Sequence, residues 1–437
     1  MPKLPDTTLG HRAITLVFAV HGALAGGYFT RIPWIRDHLG LTPTTLGVAL
    51  VFPAIGGCLA MPTAGRVVHR LGSRNAVRVL LALFAAAAAL PALAPSLALL
   101  CAAQFLSGAA AGMADVAMNA NGVQLEERVG RPIMSGLHGA WSVGALAGSG
   151  VGAVAAGAGL DARIQLSAMA AALLLLTAHN GRHLLDVVPD AQAQAPPRFA
   201  LPSRQVLRVG VVGVCAIVVE MASADWSGVY LRDVAHAAPG LAAASYTAFA
   251  CTMAATRLVG NLVVGRLGPV RTVAGGAALA MLGNLLVVTA RTPAPAVVGF
   301  SLVGIGIAVI VPLAFASVGR IGANPGQAIA GMATLVYAAG LVAPAAIGGI
   351  AGATSLPVSF ALLTVVASVP LVRAAVLRPP AAEPEQSLPL PALTGGSRSA
   401  GGAEPNGERQ RQVLPGSVGQ DAPGGGRGVL RVDLRVD

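Results

Sequence analysis

Charge is what this chain has least of. Asp, Glu, Lys and Arg make up 11% of its 437 residues, against about 25% in soluble domains. So little charge over such a length does not suit a single soluble core. Aromatic residues are scarce as well, at 4%. Although the net charge is +11 and the isoelectric point is near 10.8, the arginines lie a few at a time in short gaps. They form no basic face with interleaved aromatics, which excludes nucleic acid as a partner. There are four cysteines, Cys58, Cys101, Cys215 and Cys251, each inside an apolar run and without metal-ligand spacing. They read as small buried apolar residues, not as disulfides or ligands. Also absent are a zinc-binding His-Glu helix, a phosphate-binding Gly-rich loop after a strand, and a nucleophile-base pair. The chain therefore does not read as an enzyme, and no cofactor, metal or ATP is expected.

What the chain does have is apolar length. Apolar residues are 55% and mean hydropathy is +0.71. About 20 apolar residues cover the roughly 30 Å of a bilayer core. Twelve such runs can be read, at 13–32, 45–64, 76–93, 97–121, 134–158, 164–178, 209–231, 242–264, 272–290, 294–318, 327–350 and 356–376. Lys3, Arg12 and Ala23-Leu24-Ala25 have the shape of a signal peptide, but the apolar run continues to Phe29 and more follow, so an uncleaved first helix is expected. The expected fold is an all-α membrane protein of about 12 transmembrane helices in two six-helix halves. These are 13–180 and 209–377, joined by a cytoplasmic linker at 181–208 and followed by a disordered Pro-, Gly- and Arg-rich cytoplasmic tail at 378–437. Alternate gaps between runs carry about 17 Lys and Arg, and the opposite set (Arg31, Arg36, Arg163, Arg232, Arg291) about five. This bias places both termini in the cytoplasm.

Asp115 is the most informative residue. An acid inside a spanning helix costs at least about 2.5 kcal/mol on insertion scales, so it needs a partner or a task. Gln104, Gly108, Gly112, Asp115 and Asn119 recur at helical spacing and form one stripe. The glycines allow close approach of a neighbour. The stripe is expected to line a substrate and proton path. Other candidates for that path are His21 and Tyr28 in the first helix, His138 and Trp141 in the fifth, Glu220 in the seventh as a second proton carrier, and Tyr337 in the eleventh. Gly144, Gly148 and Gly152 read as a close-packing surface. Asp225-Trp226 reads as a feature of the outer interface and Arg257 as a charge partner near the opposite end.

The motif Arg70-Leu71-Gly72 returns as Arg266-Leu267-Gly268 roughly 196 residues later, after the second helix of each half. Together with Gly65, His69, Ser73 and Arg74 it resembles the loop between helices two and three of the major facilitator superfamily. His69 stands where that family has an acid and Ser73 where it has an arginine. The resemblance implies a cytoplasmic gating loop made by Gly65, His69, Arg70, Gly72, Arg74, Arg266 and Gly268, with His69 open to pH sensitivity. Arg31-Ile-Pro-Trp-Ile-Arg36-Asp37, His138-Gly-Ala-Trp141-Ser142, Asp225-Trp226-Ser-Gly-Val-Tyr230-Leu-Arg232 and the Asp115/Asn119 pair are similar to a bacterial subgroup near the fucose permeases. That likeness implies a secondary transporter in the bacterial inner membrane. It would take up a small polar solute such as a sugar, coupled to protons, by alternating access. The expected partners are that solute, protons and the lipid bilayer, with the chain acting as a monomer. Two other assignments share these residues: a drug or metabolite efflux transporter of the same fold, and a non-transporting membrane sensor or scaffold.

Overall fold

The computed structural model describes residues 7–131, 133–186, 202–321 and 325–378. The expected tail and most of the expected linker lie outside the described residues. Fourteen α-helices follow one another among those described: α1 (Thr7–Phe29), α2 (Ile32–Leu39), α3 (Pro43–Leu71), α4 (Ser73–Ala88), α5 (Leu90–Leu93), α6 (Leu97–Val129), α7 (Met134–Gly157), α8 (Ala162–Asn180), α9 (Arg204–Asp233), α10 (Pro239–Thr289), α11 (Pro293–Ile307), α12 (Ile310–Val318), α13 (Pro325–Ala353) and α14 (Leu356–Arg373). Among the described residues, eleven continuous helical stretches are long and apolar enough to cross a bilayer. One of them, α10, is 51 residues long and breaks at Gly268, so it crosses twice and the total is twelve.

The helix ends follow from local chemistry. Side chains of Thr42, Ser96 and Ser203 accept the backbone N–H groups of Thr45, Leu99 and Val206 and cap α3, α6 and α9. Gly40 and Gly130 close α2 and α6 in the left-handed region. Asp161 caps α8 and is bound again by the Arg163 side chain. The Arg163 hydrogen bond is the main reason its carboxyl sits well below the ordinary range, at about 2. A depressed carboxylate supports the fold above its unfolded value, and this cap is lost only as pH falls through about 2.

Several boundaries differ from the sequence reading. The first helix starts at Thr7 and stops at Phe29, with Ile32–Leu39 forming a separate short helix. Arg204 to Arg208, read as linker, already belong to α9, because Ser203 caps that helix. Pro53 and Pro62 lie inside α3 without ending it, as spanning helices allow when neighbours satisfy the freed carbonyls. The tenth run is divided between α11 and α12.

Small residues set the closest helix pairs. A Cβ on Gly22 or Gly26 of α1 would collide with the Trp141 or Ala145 carbonyl of α7, and a Cβ on Gly144 or Gly148 of α7 with the Ala19 or Ala23 carbonyl of α1. The two backbones thus interlock from both sides. Gly56 of α3 and Gly108 of α6 make the same exchange with Phe105 and Pro53. Gly148→Val is expected to lower stability by about 1–3 kcal/mol through overpacking. Thermal unfolding of the purified protein would show this as a lower midpoint, and an unchanged midpoint would count against the interlock.

Three apolar clusters show how the halves meet. One lies within the first half, around Phe18, Leu80, Phe84 and Met118. A second lies within the second half, around Val212, Val273, Ile310 and Met332. The third crosses between halves and joins Ile32, Leu46 and Leu100 to Trp226, Tyr230, Phe300 and Phe360. The shared core therefore sits toward the end of the bundle that holds α2, here called the far end. At the other end, which carries Arg70, Arg74, Arg131 and Arg266 and is called the basic end, the halves keep separate cores.

Candidate functional site

The site is built around His21, whose two ring nitrogens are both engaged. Nε2 lies 3.2 Å from the Ala111 carbonyl of α6, and Nδ1 accepts the Trp141 indole N–H at 2.9 Å. An indole nitrogen only donates, so the arrangement fixes a neutral imidazole with its proton on Nε2. His21 is buried and packs on Phe84. It links α1, α6 and α7. One turn along α6 from Ala111 stands Asp115, whose Oδ1 accepts from Asn119 Nδ2 at 3.1 Å; the same amide also donates to the Asp115 carbonyl at 2.8 Å.

His21, Asp115, His138, Trp141 and Ser142 line one wall of a cavity of about 690 Å³, and Ala254, Arg257 and Leu258 of α10 line the other. Leu258 is 80% exposed there, so the halves stand apart at this level. Arg257 donates to Glu220 Oε1 at 3.2 Å and to the Ala308 carbonyl at 3.1 Å. Glu220 is thereby paired with Arg257. Ser223, three residues further along α9, donates to the Val219 carbonyl. His138 is exposed at the mouth and meets Phe18 edge-on at 5.4 Å.

The α6 stripe does not serve one cavity. Gly108 and Gly112 face α3, through Pro53 and through Met61 with Gly57. Gln104 is buried and donates to the Tyr28 hydroxyl. It lines a second cavity of about 310 Å³ with Tyr28, Phe84, Asp225, Gly340 and Pro344. Gln104 and Asp115 share a face but sit about 16 Å apart along the helix axis, so they occupy different depths. Tyr337 is 44% exposed and lines neither of these cavities.

Asp225 and Trp226 correct the sequence reading most strongly. Neither sits at an outer interface. Trp226 is fully buried in the core that joins the halves, and Asp225 is 9% exposed and lines the second cavity. The helix that carries them continues to Asp233, so Asp225 lies about 12 Å inside its end. A carboxylate that far within an apolar helix was the available signal.

The expected gating loop is also different. His69 and Arg70 are the last exposed turn of α3, and the turn contracts to Gly72. Gly65 is helical too. Gly72 has φ 75°, ψ 158° and Gly268 has φ 75°, ψ 161°. Two copies of the motif thus adopt one conformation, in a region that is essentially restricted to glycine. Gly72→Ala or Gly268→Ala is expected to cost about 1–3 kcal/mol, read as a lower unfolding midpoint, and no change would refute the strain. Arg74 pairs with Asp186 at 2.7 Å, a carboxylate beyond α8 that sequence reading passed over. Asn121 ties the same corner by donating to Ser73 Oγ at 2.7 Å and to the Leu185 carbonyl at 3.0 Å. Arg266 is exposed at the equivalent point of the second half.

The far end is closed by two crossed ion pairs. Arg36 of the first half meets Asp233 of the second at 2.5 Å, and Arg232 meets Asp37 at 3.5 Å. The same chain interval separates Arg36-Asp37 from Arg232-Asp233 as separates Arg70 from Arg266, so the crossing is the mark of two related halves. Around it the backbones touch. A Cβ on Gly240 would lie 2.7 Å from Gly157 Cα, one on Gly348 2.5 Å from the Pro43 carbonyl, and one on Gly352 would collide with Thr44 Oγ1. Arg31, 1% exposed, donates to the Leu160 carbonyl beside the seam.

The profile of the Major Facilitator Superfamily matches residues 14–236. The chain is 32% identical over 359 residues to an uncharacterized MFS-type transporter of Yersinia pestis, a match that covers 81% of this chain and 93% of that protein. It is 30% identical over 359 residues to the membrane protein MosC of Rhizobium meliloti, covering 80% and 86%. Among solved structures it is similar to the nucleoside transporter NupG, with TM-score 0.65, 13% identity and coverage of 84% and 98%. It is also similar to a bacterial homolog of the human lysosomal transporter Spinster in an inward-facing and occupied conformation, with TM-score 0.66, 14% identity and coverage of 86% and 97%. With twelve apolar crossings, a two-fold repeat of turn and ion pair, and these matches, the chain is an integral membrane protein that belongs to the Major Facilitator Superfamily, a transporter and not an enzyme.

Proposed function

We propose that the chain is a secondary active transporter that moves a small polar solute together with protons by alternating access. The observation that carries this reading is the asymmetry of the seam between halves. The far end is shut by a shared apolar core and crossed ion pairs, and the other end holds a cavity lined by an acid, two histidines and an arginine. A rocking motion about this seam would expose the cavities to either side in turn. In this reading Asp115 carries the proton, as the one carboxylate that lines this cavity. Asn119 holds its carboxylate, and the His21–Trp141 pair holds the turn of α6 before it through the Ala111 carbonyl. Glu220, tied to Arg257, is the second proton site.

The basic end faces the cytoplasm of a bacterial inner membrane, on the charge bias of the connecting segments, and the state described is then open inward. The Asp115/Asn119 arrangement and the likeness to fucose permeases direct the choice of cargo to sugars and related metabolites, carried inward by one chain acting alone. The test is proton movement in liposomes that contain the purified protein and an internal pH dye, with sugars, sugar acids, amino acids and cationic drugs added in turn. Acidification that depends on one solute class supports the reading. Solute flux that persists without any proton movement would remove the coupling from it.

A further inference from the structure

The second cavity carries a charge that the transport cycle described above does not use. Asp225 is 91% buried by its 9% exposure, lines the cavity, and has no hydrogen-bond or ion-pair partner among the described residues. It is the one ionisable carboxylate or base among the lining residues. An uncompensated carboxylate in a low-dielectric site is unfavourable unless a counter-charge arrives with a ligand or a proton. The first cavity differs, because there Asp115 faces two histidines and Arg257.

The rest of the lining states what kind of counter-charge fits. Tyr28, Phe29 and Phe84 contribute aromatic rings, whose faces attract organic cations. A metal ion fits poorly, because no cluster of three or more His, Cys, Asp or Glu stands anywhere among the described residues, and hard cations demand six or more oxygens. The Gln104 amide donates to the Tyr28 hydroxyl. This leaves the Gln104 carbonyl oxygen as an acceptor and the Tyr28 O–H as a donor, a pair suited to hydroxyl groups. At about 310 Å³ the cavity is at the small end of ligand sites, which run from about 300 to 1,000 Å³.

We infer that this cavity binds a small hydroxylated solute carrying a protonated amine, with Asp225 as the counter-charge of the ammonium group and Tyr28 and Gln104 facing its hydroxyls. The inference rests on the transport reading above only in taking the solute bound here as a cargo. Asp225 acts here as a binding and specificity residue.

Matched pairs of solutes test it. The intact purified chain is titrated at neutral pH with glucosamine against glucose, and with ethanolamine against ethylene glycol, reading the unfolding midpoint. Esterification of Asp225 by a diazo reagent, with which the amines do not react, is located by mass spectrometry and followed in the same samples. The amine of each pair is expected to raise the midpoint and slow the modification, and its neutral counterpart to do neither. Asp225→Asn is expected to weaken the amine at least about 30-fold, the factor set by leaving one partner of a buried charge pair alone. Asp225→Glu should restore part of it. Equal effects of amine and neutral solute, or no effect of either amine at millimolar concentration, overturn the inference and leave Asp225 a proton site only. Proton-coupled flux of neutral sugars without any amine effect would overturn this inference and keep the transport reading. Amine protection of Asp225 without flux of any solute would do the reverse.

Discussion

Asp115→Asn is expected to abolish solute-driven proton movement while the protein still folds and still binds its cargo. The substitution is nearly isosteric, and its amide oxygen can still accept from Asn119 Nδ2, which stands 3.1 Å from Asp115 Oδ1. The second hydrogen bond of Asn119, to the residue 115 carbonyl at 2.8 Å, does not involve the side chain at all. What disappears is the ability to lose and regain a proton. Coupled proton movement should therefore fall by more than about tenfold, the factor that corresponds to about 1.4 kcal/mol, with the unfolding midpoint little changed. Asp115→Glu, which keeps the ionisable group, should retain part of the activity. Coupling that survives Asp115→Asn would shift the role to Glu220 and its Arg257 partner.

The second large effect concerns the crossed ion pairs at the far end. Exposed pairs are worth only about 0–1 kcal/mol each. Here two of them bridge the same seam, with Arg36 16% and Asp233 30% exposed. Losing both would move the equilibrium between closed and open seam by up to about 2 kcal/mol, or a factor of about 5–30. Asp233→Arg places a like charge against Arg36 and should open the far end. Arg36→Asp added to it recreates the pair with the signs exchanged and should close it again. Spin labels at positions 160 and 241, on either side of the Gly157–Gly240 contact, would report a longer distance in the single variant and recovery in the double one. Additive effects, with no recovery, would mean that the charges do not act across the seam.

Hydropathy made the twelve crossings legible, because length and apolarity are local properties. The repeat was legible at Arg70-Leu71-Gly72 and Arg266-Leu267-Gly268, and the shared conformation of Gly72 and Gly268 is its physical content. Arg36-Asp37 and Arg232-Asp233 belong to the same repeat, yet their crossing required two segments distant in sequence to meet. Helical spacing shows which residues share a face and not what stands opposite. It put His21 and Trp141 among the candidates but gave no sign that the indole would lock the imidazole. For the same reason Gln104 and Asp115 read as one site, although three helical turns separate them into two cavities. Asp225 was misplaced because its helix extends to Asp233, and because burial by the other half is a tertiary fact. Asp186 escaped notice because it lies in a polar stretch where nothing marks the partner of Arg74.

Alternating access is tested most directly by measuring both ends of the same protein in liposomes. One pair of spin labels at positions 160 and 241 reports the far end, and a second pair at 131 and 266 the basic end, with the native cysteines replaced. On adding cargo and a proton gradient, the far-end distance should lengthen in the population whose basic-end distance shortens. If both distances stay fixed while cargo binds, the chain is a receptor with a transporter fold and the account is contradicted.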